Sequence, residues 1–84
     1  MSPAKEAPLG PLAAKSADEI SSIMETLDVS GAELARRIGR SQGYVAIRLR
    51  KELAFNLTDF EDIANALGID PVKLLARAAS RVSY

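Results

Sequence analysis

Helix punctuation recurs at short intervals along this chain, and it constrains the fold more than any other feature. Ser16 is followed three residues later by Glu19, Ser30 by Glu33, and Thr58 by Glu61. Each pair fits a capping box, in which a hydroxyl and a carboxylate satisfy the unpaired N–H groups of a helix's first turn. Asp70 before Pro71 fits an N-cap with proline at the first helical position. Gly39 and Gly68 stand where helices should end, because glycine takes the left-handed conformation at little cost.

Apolar spacing agrees with the punctuation. Ile20, Ile23, Met24 and Leu27 repeat at i, i+3, i+4 and i+7, the stripe of an amphipathic helix. Leu34, Ala35 and Ile38 mark a short second helix, and Val45, Leu49 and Leu53 a third. Phe60, Ile63, Ala64 and Leu67 mark a fourth, and Val72, Leu74, Leu75 and Ala78 a fifth. The spacing predicts helices over 17–27, 31–38, 41–53, 59–67 and 71–79. No segment alternates in the manner of a strand between turn signals. The expectation is an all-α fold with five helices.

Length and composition then remove whole classes of function. The chain has 84 residues, room for one domain, and no cysteine or histidine. Disulfides and thiolate metal sites are therefore excluded, as are the commonest general base and metal ligand. The acidic pair Glu61 and Asp62 invites a catalytic or metal reading, but adjacent helical residues do not face each other. Nothing else completes a site, so the sequence predicts neither an enzyme nor a cofactor, metal or small-molecule substrate. No apolar run approaches the roughly 18 residues that span a bilayer, and the N-terminus lacks a signal-peptide stretch. A cytoplasmic protein without membrane contact is expected. Pro3, Pro8 and Pro11 crowd the first eleven residues without an amphipathic period, so residues 1–15 read as a flexible tail. The alternative, a DNA-contacting arm, has only the sparse charges of Lys5, Glu6 and Lys15 behind it. The domain is expected over 16–79, with a short C-terminal tail at 80–84.

The most informative stretch runs from Ser30 to Leu53. A short helix ends at Gly39 and a second starts two or three residues later. Helices joined by so tight a turn must cross steeply, and their contact needs a small residue, which Ala35 supplies. Val45 would pack back against Ala35 and Ile38. This is the helix-turn-helix pattern, whose second helix can enter a major groove.

With Leu34 and Ala35 on the first helix, Gly39 at the turn, Ser41 opening the second and Val45 four residues on, the chain resembles the Cro/CI-type helix-turn-helix family, also called lambda-repressor-like or XRE. Residues 56–64, then Ala66, Leu67, Gly68 and Ile69, are similar to that family's fourth helix and its end. Residues 70–75 look like its short fifth helix. The resemblance covers about residues 16–79 and implies a compact five-helix DNA-binding domain with the helix-turn-helix at helices 2 and 3. It departs from the pattern at Arg48, where the family often has an apolar residue, and at Leu49, where it has an acidic residue followed by a closing glycine; here Lys51, Glu52 and Leu53 continue the helix.

At about 100° per residue, Val45, Leu49 and Leu53 share one face of the third helix. Gly43, Ile47, Arg50 and Lys51 lie opposite, with Tyr44 and Ala46 at the edges. Base contacts are expected from Gln42, Gly43, Ala46, Ile47 and Arg50. Gln42 could read adenine, a position that commonly contacts DNA in the family, or be a solvated first-turn residue. Ile47 either meets thymine methyls or completes the core or a dimer contact. Arg50 could bond a guanine edge. Phosphate contacts are expected from Arg40, Ser41, Tyr44, Arg48 and Lys51, and from Ser30 and Gly31 at the start of the second helix. Tyr44 resembles a phosphate-contacting position; otherwise it is a packing aromatic. Arg36 and Arg37 fall on a solvated face. Phe55, Leu57 and Phe60 should close the core with Ile23, Leu27, Ile38 and Leu49.

The formal net charge is zero, from eleven basic and eleven acidic residues. Nucleic-acid binders usually carry a basic excess. Residues 31–55, however, hold Arg36, Arg37, Arg40, Arg48, Arg50 and Lys51 against Glu33 and Glu52, a net of +4. The remainder is acidic, so the neutral total hides a segregated charge. The sequence therefore points to a sequence-specific binder of double-stranded DNA, a small repressor-like transcriptional regulator of bacterial or phage type. Such proteins commonly bind as homodimers on paired half-sites. The alternative is a protein-interaction module on the same fold, an antirepressor or accessory factor.

Overall fold

Proline at the first helical position sets where the first helix begins, and it begins earlier than the Ser16–Glu19 pair suggests. The computed structural model describes residues 9–83, so the part of the expected tail at 1–8 lies outside the described residues. Helix α1 runs over Pro11–Leu27, with Gly10 as an N-cap that supplies no side-chain bond. Proline's fixed φ is already helical and its missing N–H is one that a helix start leaves unpaired. Residues 11–15, expected as tail, thus form the first turn of α1. Ser16 and Glu19 are not a cap. Both are buried in the helix interior, where Glu19 pairs with Arg81 at 2.9 Å.

The other elements are α2 (Gly31–Ile38), α3 (Gln42–Leu49), α4 (Leu57–Ala66) and α5 (Pro71–Ser80). Among the described residues the fold is five helices without strands, as the periodicity predicts. The Ser30 hydroxyl accepts from the Glu33 N–H at 3.1 Å. The Glu33 carboxylate turns instead to Arg36 and Arg37. Gly39 and Gly68 both take φ of +73° after their helices. The Asp70 carboxylate caps α5 by accepting from Val72 and Lys73 N–H at 2.8 and 3.2 Å.

Besides the start of α1, two helix boundaries differ from expectation by two or more residues. The α4 cap is Asn56, whose side-chain oxygen accepts from the Asp59 N–H at 2.7 Å, so Thr58 and Glu61 are ordinary exposed residues within α4. The third helix stops at Leu49 rather than at 53. Lys51 adopts φ of +66°, and the Glu52 N–H bonds back to the Ile47 carbonyl at 3.1 Å. Lysine here takes the helix-closing conformation that glycine usually supplies. The apolar Leu53 continues the stripe in sequence without continuing the helix.

The core joins all five helices through Ile20, Met24, Leu34, Ala35, Val45, Phe60, Ile63, Ala64, Leu67 and Leu74. Fully burying one such Leu or Ile contributes about 1.5–3 kcal/mol. Ala35 and Val45 are buried where α2 meets α3, as the steep crossing requires. Ile23, Ile38, Leu49 and Phe55 pack against this core from its margin. Leu27 and Leu57 do not close it: they are 49% and 75% exposed. α1 lies along α5 and also touches α3, so α3 is held from behind and its other side faces outward.

Candidate nucleic-acid interface

The Ser41 hydroxyl starts α3 by accepting from the Tyr44 N–H at 3.1 Å. Its neighbours Gln42 and Gly43 are exposed on the first turn, with Ala46, Ile47 and Arg50 following. Ile47 is half-buried but is not among the side chains that pack against the core. Its core alternative is thereby disfavoured. A Cβ added to Gly43 would meet no atom within 4 Å. Glycine costs a helix interior roughly 1 kcal/mol relative to alanine, and nothing inside the molecule requires it there. A smooth point on the outer surface of α3 is what remains, and it permits close approach of another backbone.

Charged groups around this face form defined contacts. Arg40, in the turn, reaches Asp59 on α4, with its Nε and Nη2 at 3.3 and 3.2 Å from the Oδ1 atom. The Tyr44 hydroxyl donates to the Asp59 Oδ2 atom at 2.5 Å. The guanidinium carbons of Arg40 and Arg48 lie 4.6 and 3.5 Å from the centroid of the Tyr44 ring. Arg48 also donates to the Tyr44 carbonyl at 3.1 Å. The hydrogen bond that the Tyr44 phenol donates to the Asp59 carboxylate raises the Tyr44 pKa above its ordinary value, because ionisation would forfeit that bond; desolvation and the repulsion of two adjacent anions add to this. Hydrogen bonds from Arg37 and then Arg36 hold the Glu33 carboxyl below its usual range.

The expected phosphate residues therefore separate. Among the described residues Arg48 has no carboxylate partner, and it sits stacked on Tyr44. The one proton of the Tyr44 hydroxyl is committed to Asp59, so Tyr44 is a packing aromatic with a fixed polar tip. Arg50 pairs with Glu52 at 2.7 Å, and Lys51 with Asp18 of α1 at 3.0 Å. Both pairs are well exposed, and exposed pairs contribute at most about 1 kcal/mol. Ser30 is one wall of a surface hollow shared with Glu25, Asp28, Glu33 and Arg37. Three carboxylates face one guanidinium that is itself paired with Glu33, which makes Ser30 and Gly31 a poor seat for a phosphate. Arg37 also donates to the Ala66 carbonyl at 3.1 Å and ties α2 to the end of α4.

Sequence reasoning missed Asp59, Asn56 and Asp18. An Asn with an Asp three residues on is a recognisable cap, and it was available at Asn56. Nothing local connects Asp59 to Tyr44 or Asp18 to Lys51, because each contact forms only on folding.

Among the described residues no helix is long and apolar enough to cross a membrane. No protein-family model matches the sequence, and no curated protein matches it. Two solved structures are similar. One is the clp gene regulator ClgR from C. glutamicum, with a TM-score of 0.78 and 23% identity, covering 92% of this chain and 97% of that one. The other is a hypothetical transcription factor, NHTF, from Neisseria, with a TM-score of 0.69 and 27% identity over 89% of this chain and 85% of that one. This chain, with five helices among its described residues, thus shares the fold of those two proteins, and its helix-turn-helix lies at α2 and α3.

Proposed function

We propose that this protein binds double-stranded DNA sequence-specifically and acts as a small repressor-like transcriptional regulator of the Cro/CI type, with α3 in the major groove. The observation that carries the reading is the outer face of α3. Gln42, Gly43, Ala46, Ile47 and Arg50 line it outside the core, at the second helix of a helix-turn-helix. A glutamine, an apolar side chain and an arginine are the groups that read adenine, thymine methyl and guanine edges. Arg40, Arg48 and Lys51 at its rim, with the Ser41 end of α3, are placed for phosphates. Two likenesses to proteins described as a gene regulator and a transcription factor support the same reading.

A second copy would pack on the exposed Leu57 and Val72, which flank Leu75 across α4 and α5. The α4 side of this strip also carries Glu61. A two-fold axis through the strip would bury the apolar residues of one protomer against those of the other.

One observation favours a protein partner instead: every cation of residues 31–55 except Arg48 already has a carboxylate partner. Fluorescence anisotropy with a labelled random 20-base-pair duplex separates the readings. DNA binding predicts association at low salt that weakens as salt rises. No association at low salt, or association indifferent to salt, would refute it. Selection from a random duplex pool then gives the preferred sequence, and a palindromic result reports the dimer.

A further inference from the structure

Asp59 is the most deeply buried charged residue of the domain, with 1% of its surface exposed, and it lies outside the helix-turn-helix. Its backbone is pinned by the Asn56 cap, and both of its carboxylate oxygens are engaged, one by Arg40 and one by Tyr44. Those partners sit in the turn and in the first turn of α3, so one side chain on α4 ties together the parts that aim the outer face of α3. The ring of Tyr44 is in turn enclosed by the guanidinium groups of Arg40 and Arg48.

We propose that Asp59 is the positioning residue of this interface: it fixes the orientation of the N-terminal end of α3 and restrains Arg40, so that binding depends on base contacts more than on bulk charge. This rests on the DNA-binding reading above. With Nε and Nη2 turned to Asp59, Arg40 keeps the two Nη1 N–H groups and the outer Nη2 N–H for a phosphate, all on the edge away from Asp59. A buried carboxylate stripped of its cation would be left uncompensated, so Arg40 does not leave it on docking. A phosphate backbone must therefore come to Arg40 in the place where Asp59 holds it. Loosening that placement costs the register of α3 on the bases, while a freed arginine grips any phosphate.

The test compares wild type, Asp59→Asn and Tyr44→Phe by anisotropy, on a duplex selected from the random pool and on a random duplex, across salt. Asp59→Asn keeps an acceptor of the same shape and removes the charge. Its selected-to-random affinity ratio should fall about tenfold, the effect of one mismatched base pair. Its salt slope on random duplex should steepen by about 0.9, one further phosphate contact. Tyr44→Phe keeps the ring between the two guanidinium groups and changes no charge. It should lower the ratio without altering the slope, and it carries the test if Asp59→Asn fails to fold. A ratio and slope equal to wild type in the folded variants overturn the proposal while leaving DNA binding intact. Parallel loss on both duplexes at unchanged slope marks a merely structural role and also overturns it. A wild type that binds neither duplex at low salt removes both readings.

Discussion

Asp28 closes α1 with φ of +57°, a left-handed conformation that an L-residue reaches only with strain, and its side chain makes no bond that offsets the strain. Asp28→Gly isolates that strain. The left-handed conformation costs an L-residue roughly 1–2 kcal/mol, and aspartate stands near the low end because it tolerates this region better than most. Glycine gives back about 0.5–1 kcal/mol through the greater freedom of its unfolded chain. Removing a carboxylate from the negative end of a helix dipole adds roughly 0.3 kcal/mol at an exposed site. Glu25 and Glu33 line the same hollow, so their repulsion of Asp28 is relieved as well. The net expectation is a gain of about 0.5–1 kcal/mol, or roughly 2–8 °C in Tm for a domain of this size. Urea denaturation followed by circular dichroism measures it, with unchanged slope showing that the folded and unfolded states keep their extents. Gly39→Ala is the opposite control. Its φ is +73° and its Cβ would meet open space, so strain alone should lower stability by about 1 kcal/mol. Lys51→Gly should lie near zero, because relief at φ of +66° is offset by loss of the exposed pair with Asp18. An Asp28→Gly protein no more stable than wild type would refute the reasoning.

Other outcomes follow from the same contacts. Gln42→Ala and Arg50→Ala should each weaken binding to the selected duplex by about 1–3 kcal/mol and leave the urea midpoint within about 0.5 kcal/mol of wild type; a steep loss of stability would show that these residues do not belong to the outer face. In a Tyr84→Phe background, ultraviolet absorbance should show Tyr44 ionising above the ordinary phenol value of about 10, and Asp59→Asn should bring it back. Because the folded state favours the neutral phenol, its contribution to stability is complete below that ordinary value and is lost as pH rises through the raised one. Glu33 behaves oppositely: its contribution is present above the ordinary carboxylate range and is lost on acidification. Val72→Glu should convert a dimer to a monomer in sedimentation velocity, and a wild type that sediments as a monomer at every concentration would exclude that strip as an interface.

What could be read in the sequence was whatever rests on neighbours along the chain. Ser30, Gly39, Gly68, Asp70 and the i, i+3, i+4 stripes gave the helices after α1, because capping and amphipathicity act within one or two turns. The start of α1 was hidden by prolines that resemble a linker although one of them is a helix opener. Asn56 and Thr58 both satisfy the same local N-cap rule, so neighbours along the chain alone do not fix where α4 starts. The face of α3 was legible as a set of positions. Its electrostatics were not, since Asp18 and Asp59 arrive from elements far away in sequence.

That arrival changes what the charge of the motif means. Residues 31–55 carry a net of +4 in sequence, but Asp18 and Asp59 fold onto Lys51 and Arg40, which leaves six cations facing four carboxylates and a net of +2. The distinction is measurable. If counterion release follows that net of +2, log K for random duplex should fall with log salt at a slope of about −1.8, a loss of roughly 12-fold between 50 and 200 mM salt. If all six met phosphates freely, the slope would be about −5.4 and the loss over the same range roughly 2,000-fold. A slope near the first value means that the acidic residues of α1 and α4 keep non-specific binding weak and leave discrimination to Gln42, Ile47 and Arg50. A slope near the second means that the pairs with Asp18 and Asp59 dissolve on docking, and the charge balance of the folded chain does not control its affinity.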